Sequence, residues 1–213
     1  MHTPDAANAL ARWLRLAPAI PVVVIDDATQ ALPLARALVA GGLPVIEVTL
    51  RTAAADAAIA ALVSAPRGWV VGAGTVTGAA DIARMARLGV QFCVSPGITP
   101  ALLDAAEAHA MPLLPGVQTA SEILLGRERG LDCFKFFPAA QAGGIAMLEA
   151  WHGPFADVLF CPTGGISPDN APAFLRLGNV AAVGSSWVAP RAAIAAGQWT
   201  AITERARTAA HWR

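Results

Sequence analysis

The strongest constraint on the fold of this chain is a strict alternation between short strand patterns and alanine-rich helix patterns. Eight runs rich in β-branched and aromatic residues recur along the sequence, and helical segments lie between them. Parallel strands need a crossover connection that is usually a helix, so this alternation predicts an α/β fold with a parallel sheet. The predicted strands are Ile20–Ile25, Val45–Leu50, Val70–Thr75, Phe92–Ser95, Leu113–Gly116, Cys133–Phe137, Val158–Cys161 and Ala181–Ser186.

The helical segments follow the spacing of amphipathic helices. Near the N-terminus, Leu10, Trp13, Leu14 and Ala17 are spaced as on one face of a helix, which predicts a short N-terminal helix that packs on the body. The predicted helices between strands include Gln30–Ala40, Ala53–Val63, Asp81–Leu88, Ala101–His109, Ala120–Arg129 and Asn170–Leu177.

Eight short units favour a closed (βα)8 barrel, the TIM barrel. With 213 residues the chain lies near the lower size limit of that fold, about 200 residues, and leaves no room for a second domain. Residues 1–213 are therefore predicted to form a single domain. An open, flavodoxin-like sheet is the alternative. A dinucleotide-binding fingerprint after the first strand would favour it, but Val71-Gly72-Ala73-Gly74-Thr75 follows the third strand and has two of the three glycines.

Composition excludes several classes of function. Fifteen basic residues balance fifteen acidic ones without a basic cluster, which argues against a nucleic-acid partner. The mean hydropathy is +0.52, but charges, Pro or Gly break every apolar run well short of the roughly 18 residues of a membrane span. Three cysteines without a CxxC pair predict reduced thiols in a cytoplasmic protein.

The chain contains fourteen arginines but one lysine, Lys135, and that lysine lies in the middle of a predicted strand. Arginine replaces lysine as a cation but not as an amine nucleophile. A free lysine amine has a pKa of about 10.4, so a nucleophilic lysine has to be desolvated or close to another cation. We expect Phe134, Phe136 and Phe137 to make its surroundings apolar. A snorkelling or ion-paired structural lysine is the alternative.

The second predicted strand supplies polar partners for this lysine. Its alternation places Glu47, Thr49 and Arg51 on one face and the apolar residues on the other. The apolar face should meet the helices, so the polar face is predicted to point into the barrel. Glu47 is then a candidate general acid and base, and Arg51 a candidate ligand for a substrate carboxylate. An internal Glu47–Arg51 ion pair that only stabilises the fold is the alternative.

Small residues follow the last two predicted strands, where they let backbone N–H groups approach an anion. The loops after strands seven and eight are the recurrent phosphate site of this barrel, so we expect a phosphorylated substrate, although tight turns alone would explain either segment. The two segments are Cys161-Pro162-Thr163-Gly164-Gly165-Ile166-Ser167 and Gly184-Ser185-Ser186-Trp187.

Five motifs, in this order and spacing, resemble those of the family of 2-keto-3-deoxy-6-phosphogluconate (KDPG) aldolases. The resemblance covers nearly the whole chain. The motifs are Glu47-Val48-Thr49-Leu50-Arg51-Thr52, Val71-Gly72-Ala73-Gly74-Thr75-Val76, Ser95-Pro96-Gly97, Phe134-Lys135-Phe136-Phe137-Pro138-Ala139 and Cys161-Pro162-Thr163-Gly164-Gly165-Ile166.

The resemblance implies a class I aldolase of the Entner–Doudoroff pathway, without metal or cofactor and usually a homotrimer. It implies cleavage of KDPG to pyruvate and D-glyceraldehyde 3-phosphate, and commonly also of 4-hydroxy-2-oxoglutarate. Lys135 matches the Schiff-base lysine and Glu47 the general acid and base. Of the substrate-binding residues, Arg51, Thr75, Pro96 and Phe137 match the pyruvate end, and Thr163, Gly164, Gly165, Ser185 and Ser186 match the phosphate end.

Two local differences bear on substrate choice. The family often has Gly-Gly-Ser-Trp where this chain has Gly184-Ser185-Ser186-Trp187. Aldolases for the galactonate epimer tend to have Asn-Ser in place of Arg51-Thr52, so this chain resembles the gluconate branch.

Two other functions remain open from the residues alone. A phosphosugar isomerase or epimerase would need a second acid or base, or histidine ligands, but the four histidines are terminal (His2, His211) or lie in or beside helices (His109, His152). A sugar-phosphate sensor without catalysis would leave the lysine without a purpose.

Overall fold

Helices and strands alternate along residues 4–66 and 68–213, the part of the chain that the computed structural model describes. The helices are α1 (Pro4–Leu14), α2 (Ala31–Ala40), α3 (Ala55–Ser64), α4 (Ala79–Leu88), α5 (Pro100–Ala108), α6 (Ala120–Arg127), α7 (Gly144–His152), α8 (Ala171–Leu175), α9 (Arg191–Ala195) and α10 (Trp199–Ala210). The strands are β1 (Ala19–Val23), β2 (Val45–Thr49), β3 (Val70–Gly74), β4 (Phe92–Val94), β5 (Leu113–Leu114), β6 (Gly116–Val117), β7 (Cys133–Phe136), β8 (Leu159–Pro162) and β9 (Val183–Ser185).

The strands are parallel and close into a barrel. One sheet has the order β5-β4-β3-β2-β1-β9 and the other the order β6-β7-β8. β5 and β6 are halves of one strand, separated by Pro115, which has no N–H to donate to a ladder. On the other side, parallel bridges from Phe160 to Val180 and from Thr163 to Gly184 join β8 to the β9 segment. The predicted (βα)8 barrel is confirmed, and the open sheet is excluded.

The predicted strand positions are confirmed to within one or two residues at each end. Two boundaries have an identifiable cause. The fifth strand was expected to be continuous, but Pro115 interrupts it. The third ends at Gly74 and not at Thr75, because Thr75 has a φ of 60°, outside the range of a strand.

Side chains that alternate along each strand form two separate cores. One set packs outward against the helices. The other set points inward and fills the amino-terminal half of the barrel, where it meets Leu10 and Leu14 of α1. Its strand residues include Ile20, Val45, Phe92, Leu114 and Cys133. The N-terminal helix therefore closes one end of the barrel, which leaves the carboxyl-terminal end for a site.

An aromatic cluster fixes the strand that carries Lys135. Phe136 meets Trp151 of α7 edge to face at 5.1 Å between ring centroids, and Trp151 stacks on Phe160 of β8 at 5.3 Å. Phe134 lies in the same outer core. Of the three phenylalanines expected to make the segment around Lys135 apolar, Phe134 and Phe136 therefore point away from the amine, because neighbouring residues on a strand point to opposite faces.

No described helix has both the length and the apolar character that crossing a membrane requires.

Ion pairs lie on the outer surface of the barrel. The pair between Asp26, just beyond β1, and Arg191, at the start of α9, joins two loops 165 residues apart in the sequence. Both guanidinium hydrogen bonds to the carboxylate are 2.6 Å long, and Arg191 lowers the pKa of Asp26, chiefly through its hydrogen bond.

We expect Arg191→Ala to lower the melting temperature slightly at about pH 7, because both partners are exposed and surface pairs contribute little. Since the pKa of Asp26 is lower in the folded protein, the pair stabilises above the ordinary value of 3.8 and loses this effect as the pH falls through the lowered value. Thermal unfolding of both proteins across this range is the measurement. Arg207→Ala, which removes a pair within α10, is the control. A difference that grows on acidification would contradict the assignment.

Candidate active site

Lys135 and Glu47 meet inside the barrel. Lys135 is on β7 and Glu47 on β2, which are opposite strands of an eight-stranded barrel, so their contact crosses the interior. The Nζ atom of Lys135 donates to Oε1 of Glu47 at 3.2 Å, and the two side chains are 6% and 4% exposed. The predicted inward direction of both residues is confirmed. Glu47 pairs with the lysine and not with Arg51, so the alternative of a Glu47–Arg51 pair is wrong.

Phe137 completes the surroundings of the amine on the side of the barrel mouth. The centre of its ring lies 5.2 Å from Lys135 Nζ, a cation–π distance. Because Phe137 follows β7 directly, it lies two residues beyond Lys135 and faces the same side of the strand. The lysine amine thus has a carboxylate and an aromatic ring as close neighbours.

Arg51 and Thr75 meet at the mouth, beyond the ends of β2 and β3. Arg51 is exposed, and its Nε donates to Oγ1 of Thr75 at 3.1 Å. The positive φ of Thr75, 60°, is unusual for a β-branched residue. Strained conformations of this kind cluster at functional sites. The geometry holds one edge of the guanidinium and leaves its terminal nitrogens to bind an anion.

A cavity of about 210 Å³ opens at the carboxyl-terminal end of the strands. It contains six of the residues predicted from the sequence. Its lining residues are Val22, Arg51, Phe137, Thr163, Gly164, Gly165, Ile166, Gly184 and Ser186.

Two glycines of this cavity have backbone conformations that favour anion binding. The φ angles of Gly164 and Gly165 are 98° and 74°, in the region where side chains are disfavoured. A Cβ on Gly164 would lie in tight contact with Pro138 at 3.2 Å, and one on Gly165 would clash with Ala140 at 2.6 Å. Within the described chain, their N–H groups donate to no backbone carbonyl. Successive N–H groups of this kind form anion-binding nests.

Five predicted site residues do not line this cavity: the buried pair Lys135 and Glu47, and Thr75, Pro96 and Ser185. Thr75 accepts a hydrogen bond from Arg51, which lines the cavity. Pro96 lines a second cavity of about 150 Å³, and its carbonyl group packs against Gly116, the partner of Lys135 in register. Ser185 is buried, its hydroxyl donates to the carbonyl of Ile166, and its main chain pairs with Pro21 in the ladder between β9 and β1.

The sequence did not single out the residue nearest to the lysine on the adjacent strand. Cys161 of β8 is in register with Lys135, so both side chains enter the barrel at the same level. Burial raises the pKa of Cys161 to about 12, with smaller opposing effects from Lys135 and Glu47. Burial also raises the pKa of Cys93 to about 12 and that of Cys133 further. All three thiols are free and are protonated at neutral pH.

Within residues 4–66 and 68–213, no group of three or more His, Cys, Asp or Glu side chains is arranged to bind a metal ion. His152 ends α7, and His109 and His211 follow α5 and α10. His2 lies outside the described residues.

Comparison with known proteins gives one family. The family model "KDPG and KHG aldolase" matches residues 10–205. The 2-dehydro-3-deoxy-phosphogluconate aldolase of Pseudoalteromonas atlantica is 48% identical over 192 residues, 90% of this chain and 89% of that protein. The KHG/KDPG aldolase of Escherichia coli K12 is 47% identical over 196 residues, 92% of each chain.

A solved structure is similarly close. It is the crystal structure of the KDPG aldolase of Legionella pneumophila with pyruvate captured at low pH as a covalent carbinolamine intermediate. Its TM-score is 0.92 and its sequence identity 45%, over 94% of this chain and 97% of that chain.

The buried pair makes a specific prediction for stability. Lys135→Met leaves the Glu47 carboxylate buried without its cation, so we expect a loss of about 3 to 5 kcal/mol in the free energy of unfolding. The double variant Lys135→Met/Glu47→Gln removes both charges and should recover most of that loss. Chemical denaturation at about pH 7 measures both. Equal stability of the single and double variants would contradict a coupled buried pair.

Proposed function

The chain belongs to the KDPG and KHG aldolase family, and from this premise we propose that it cleaves KDPG to pyruvate and D-glyceraldehyde 3-phosphate through a Schiff base on Lys135. The observation that carries the assignment to this residue is the buried Lys135 amine, 3.2 Å from the carboxylate of Glu47. Family membership argues against the isomerase, the epimerase and the sensor as the primary function.

Lys135 becomes a nucleophile when its ammonium group gives up a proton. Glu47 is the acceptor at hydrogen-bond distance, and transfer between them turns two buried charges into two neutral groups. The neutral amine then attacks the C2 carbonyl carbon of the substrate, and the carbonyl oxygen takes up a proton, which gives a carbinolamine. A covalent carbinolamine with pyruvate is described for the Legionella pneumophila relative. Loss of water from the carbinolamine gives the protonated imine.

Glu47 moves the protons of the later steps in the proposed mechanism, directly or through a water. It takes the proton of the C4 hydroxyl while the electrons of the C3–C4 bond move into the imine, so the aldehyde leaves and an enamine remains. The enamine then receives a proton at C3. Hydrolysis of the resulting imine by water releases pyruvate and restores the amine of Lys135. One carboxylate close to the imine nitrogen is sufficient for these transfers.

We assign the pyruvate end of the substrate to the Arg51 side of the mouth. The guanidinium, held through Nε by Thr75, would bind the carboxylate with its terminal nitrogens. Phe137, over the lysine amine, would cover the reacting carbons and limit their contact with water. Pro96 remains a candidate for this pocket, and its carbonyl group packs against Gly116 of β6, the register partner of Lys135.

We assign the phosphate end to the glycine loop after β8 and the segment after β9. The N–H groups of Gly164 and Gly165 supply a nest, and Thr163 and Ser186 line the same cavity. For Ser185 we propose a supporting role at this end, because its hydroxyl is bonded to Ile166 and its main chain pairs with Pro21 in the ladder between β9 and β1. This end distinguishes KDPG from 4-hydroxy-2-oxoglutarate, which has no phosphate. Cleavage of this second substrate is proposed as well, since the Escherichia coli relative is named for both.

We propose that residues 1–213 form one barrel domain that functions as a homotrimer in the cytoplasm. The family resemblance supports the trimer, and two exposed leucines, Leu16 (48%) and Leu124 (54%), are apolar surface that an interface would cover. Three free, buried thiols are consistent with a reducing compartment. Light scattering coupled to size-exclusion chromatography measures the oligomeric state.

The Schiff base is tested by reduction with borohydride. Wild-type protein incubated with pyruvate and borohydride should gain one reduced pyruvate adduct, and peptide mapping should locate it on Lys135. Lys135→Arg keeps the positive charge but has no amine of this type, so we expect no adduct and loss of KDPG cleavage. EDTA should leave the wild-type rate unchanged. No adduct on the wild-type protein, or an adduct at another residue, would refute the proposed mechanism.

The phosphate end is tested by a charge at Ser186, whose side chain is exposed at the cavity. We expect Ser186→Asp to reduce kcat/KM for KDPG by about 10- to 100-fold, because the new carboxylate repels the phosphate. The rate with 4-hydroxy-2-oxoglutarate should change less. Ser186→Asn, similar in size but uncharged, is the control. An equal loss with both substrates would argue against a phosphate at this end.

A further inference from the structure

Gly74 on β3 borders the carboxylate of Glu47. A Cβ built on Gly74 would lie 2.7 Å from Cγ and 2.8 Å from Cδ of Glu47, and it would overlap Oε1, the atom that accepts the hydrogen bond from Lys135. The Glu47 side chain thus occupies the volume that any side chain at position 74 would fill. Gly74 is also the last residue of its strand before the strained Thr75.

Strand register explains this arrangement. Glu47 is paired with Gly72 and Thr49 with Gly74, so all four residues face the barrel interior. The Glu47 side chain leans along its strand toward the carboxyl-terminal end and reaches the level of Gly74. Thr49 leaves this volume free, because its side chain turns toward β1, the other neighbour of β2. Its hydroxyl donates to the carbonyl of Val23 on β1 at 2.9 Å.

Backbone freedom is not the reason for a glycine at position 74. Gly74 is not among the described glycines with a positive φ, so an alanine there would fit the backbone. The three atoms nearest to such a Cβ all belong to the Glu47 side chain, and none belongs to the backbone. The fold should therefore tolerate a methyl group, whereas the distance between the carboxylate and the amine should change.

We propose that Gly74 is a positioning residue for Glu47: its missing side chain holds open the space that keeps the carboxylate against the Lys135 amine. The inference rests on the proposed function, in which Glu47 transfers protons to and from the Lys135 adduct. Gly74 itself touches neither substrate nor amine in this proposal. A misplaced carboxylate should slow proton transfer and leave the binding of pyruvate through Arg51 and Thr75 intact.

The test is Gly74→Ala, read by the exchange of pyruvate methyl protons for deuterium, which requires proton transfer at the enamine carbon. We expect kcat for exchange to fall by about 100-fold, the scale of a misplacement near 1 Å, with KM for pyruvate little changed. Borohydride should still label Lys135 completely after long incubation. A kcat for exchange by Gly74→Ala equal to that of the wild-type protein would overturn the inference.

Gly72→Ala is the matched control, on the same strand and the same face. Gly72 is the register partner of Glu47, but the three atoms nearest to a Cβ at position 72 all belong to the Phe92 ring, with Cε1 at 2.7 Å, and none belongs to Glu47. We expect this variant to lose stability but to keep exchange close to that of the wild type. A similar fall in exchange for both glycine variants would indicate a general packing defect and overturn the positioning role.

A double-mutant cycle separates the carboxylate from the rest of the fold. In a Glu47→Ala background there is no carboxylate to displace, so adding Gly74→Ala should cause no further loss of exchange or stability. The test also works if Gly74→Ala alone does not fold. In that case the double variant Glu47→Ala/Gly74→Ala should fold. A further loss in that background would overturn the inference. Absence of pyruvate labelling on wild-type Lys135 would instead refute the proposed function.

Discussion

The hydrogen-bonded ion pair between Lys135 and Glu47 is the interaction on which the rest of the structure depends. Two charges in the middle of a barrel each carry a desolvation cost of several kcal/mol, which their mutual attraction offsets only at close range. Because the residues belong to opposite strands, the contact requires the complete barrel. The fold thus brings together an amine and a carboxylate 88 residues apart in the sequence, and in the proposed mechanism the same closeness lets them exchange a proton.

Small residues decide which parts of the barrel interior are filled and which stay open. In the amino-terminal half, the Phe92 ring lies over Gly72, and α1 covers the end with Leu10 and Leu14. Toward the other end, Gly74 leaves its volume to the Glu47 carboxylate, and Gly184 leaves room for the Thr163 side chain. The barrel is therefore a packed core below the lysine and a cavity above it. The open space of the barrel is thus confined to its carboxyl-terminal end.

The proposed substrate would extend across the mouth between two anion sites of different kinds. Arg51 offers a guanidinium held by Thr75, whereas the loop after β8 offers main-chain N–H groups from residues with positive φ. The lysine amine lies deeper, beneath Phe137. A molecule with a carboxylate at one end and a phosphate at the other matches this order of groups. Burial keeps the Cys161 thiol protonated, and in the proposed mechanism Lys135 is the nucleophile at this level of the barrel.

The sequence alone determined the α/β class, the closed barrel and the strand positions, because alternating periodicities are local properties of the chain. It also identified Lys135 and Glu47 as inward-facing, since the pleat fixes which residues share a face. Their distance, the outward direction of Phe134 and Phe136, the break at Pro115 and the closure of one end by α1 were decided by tertiary structure. Tertiary structure also decided the space that Gly74 leaves for Glu47. These features depend on register and packing between segments far apart in the chain, which a linear pattern does not encode.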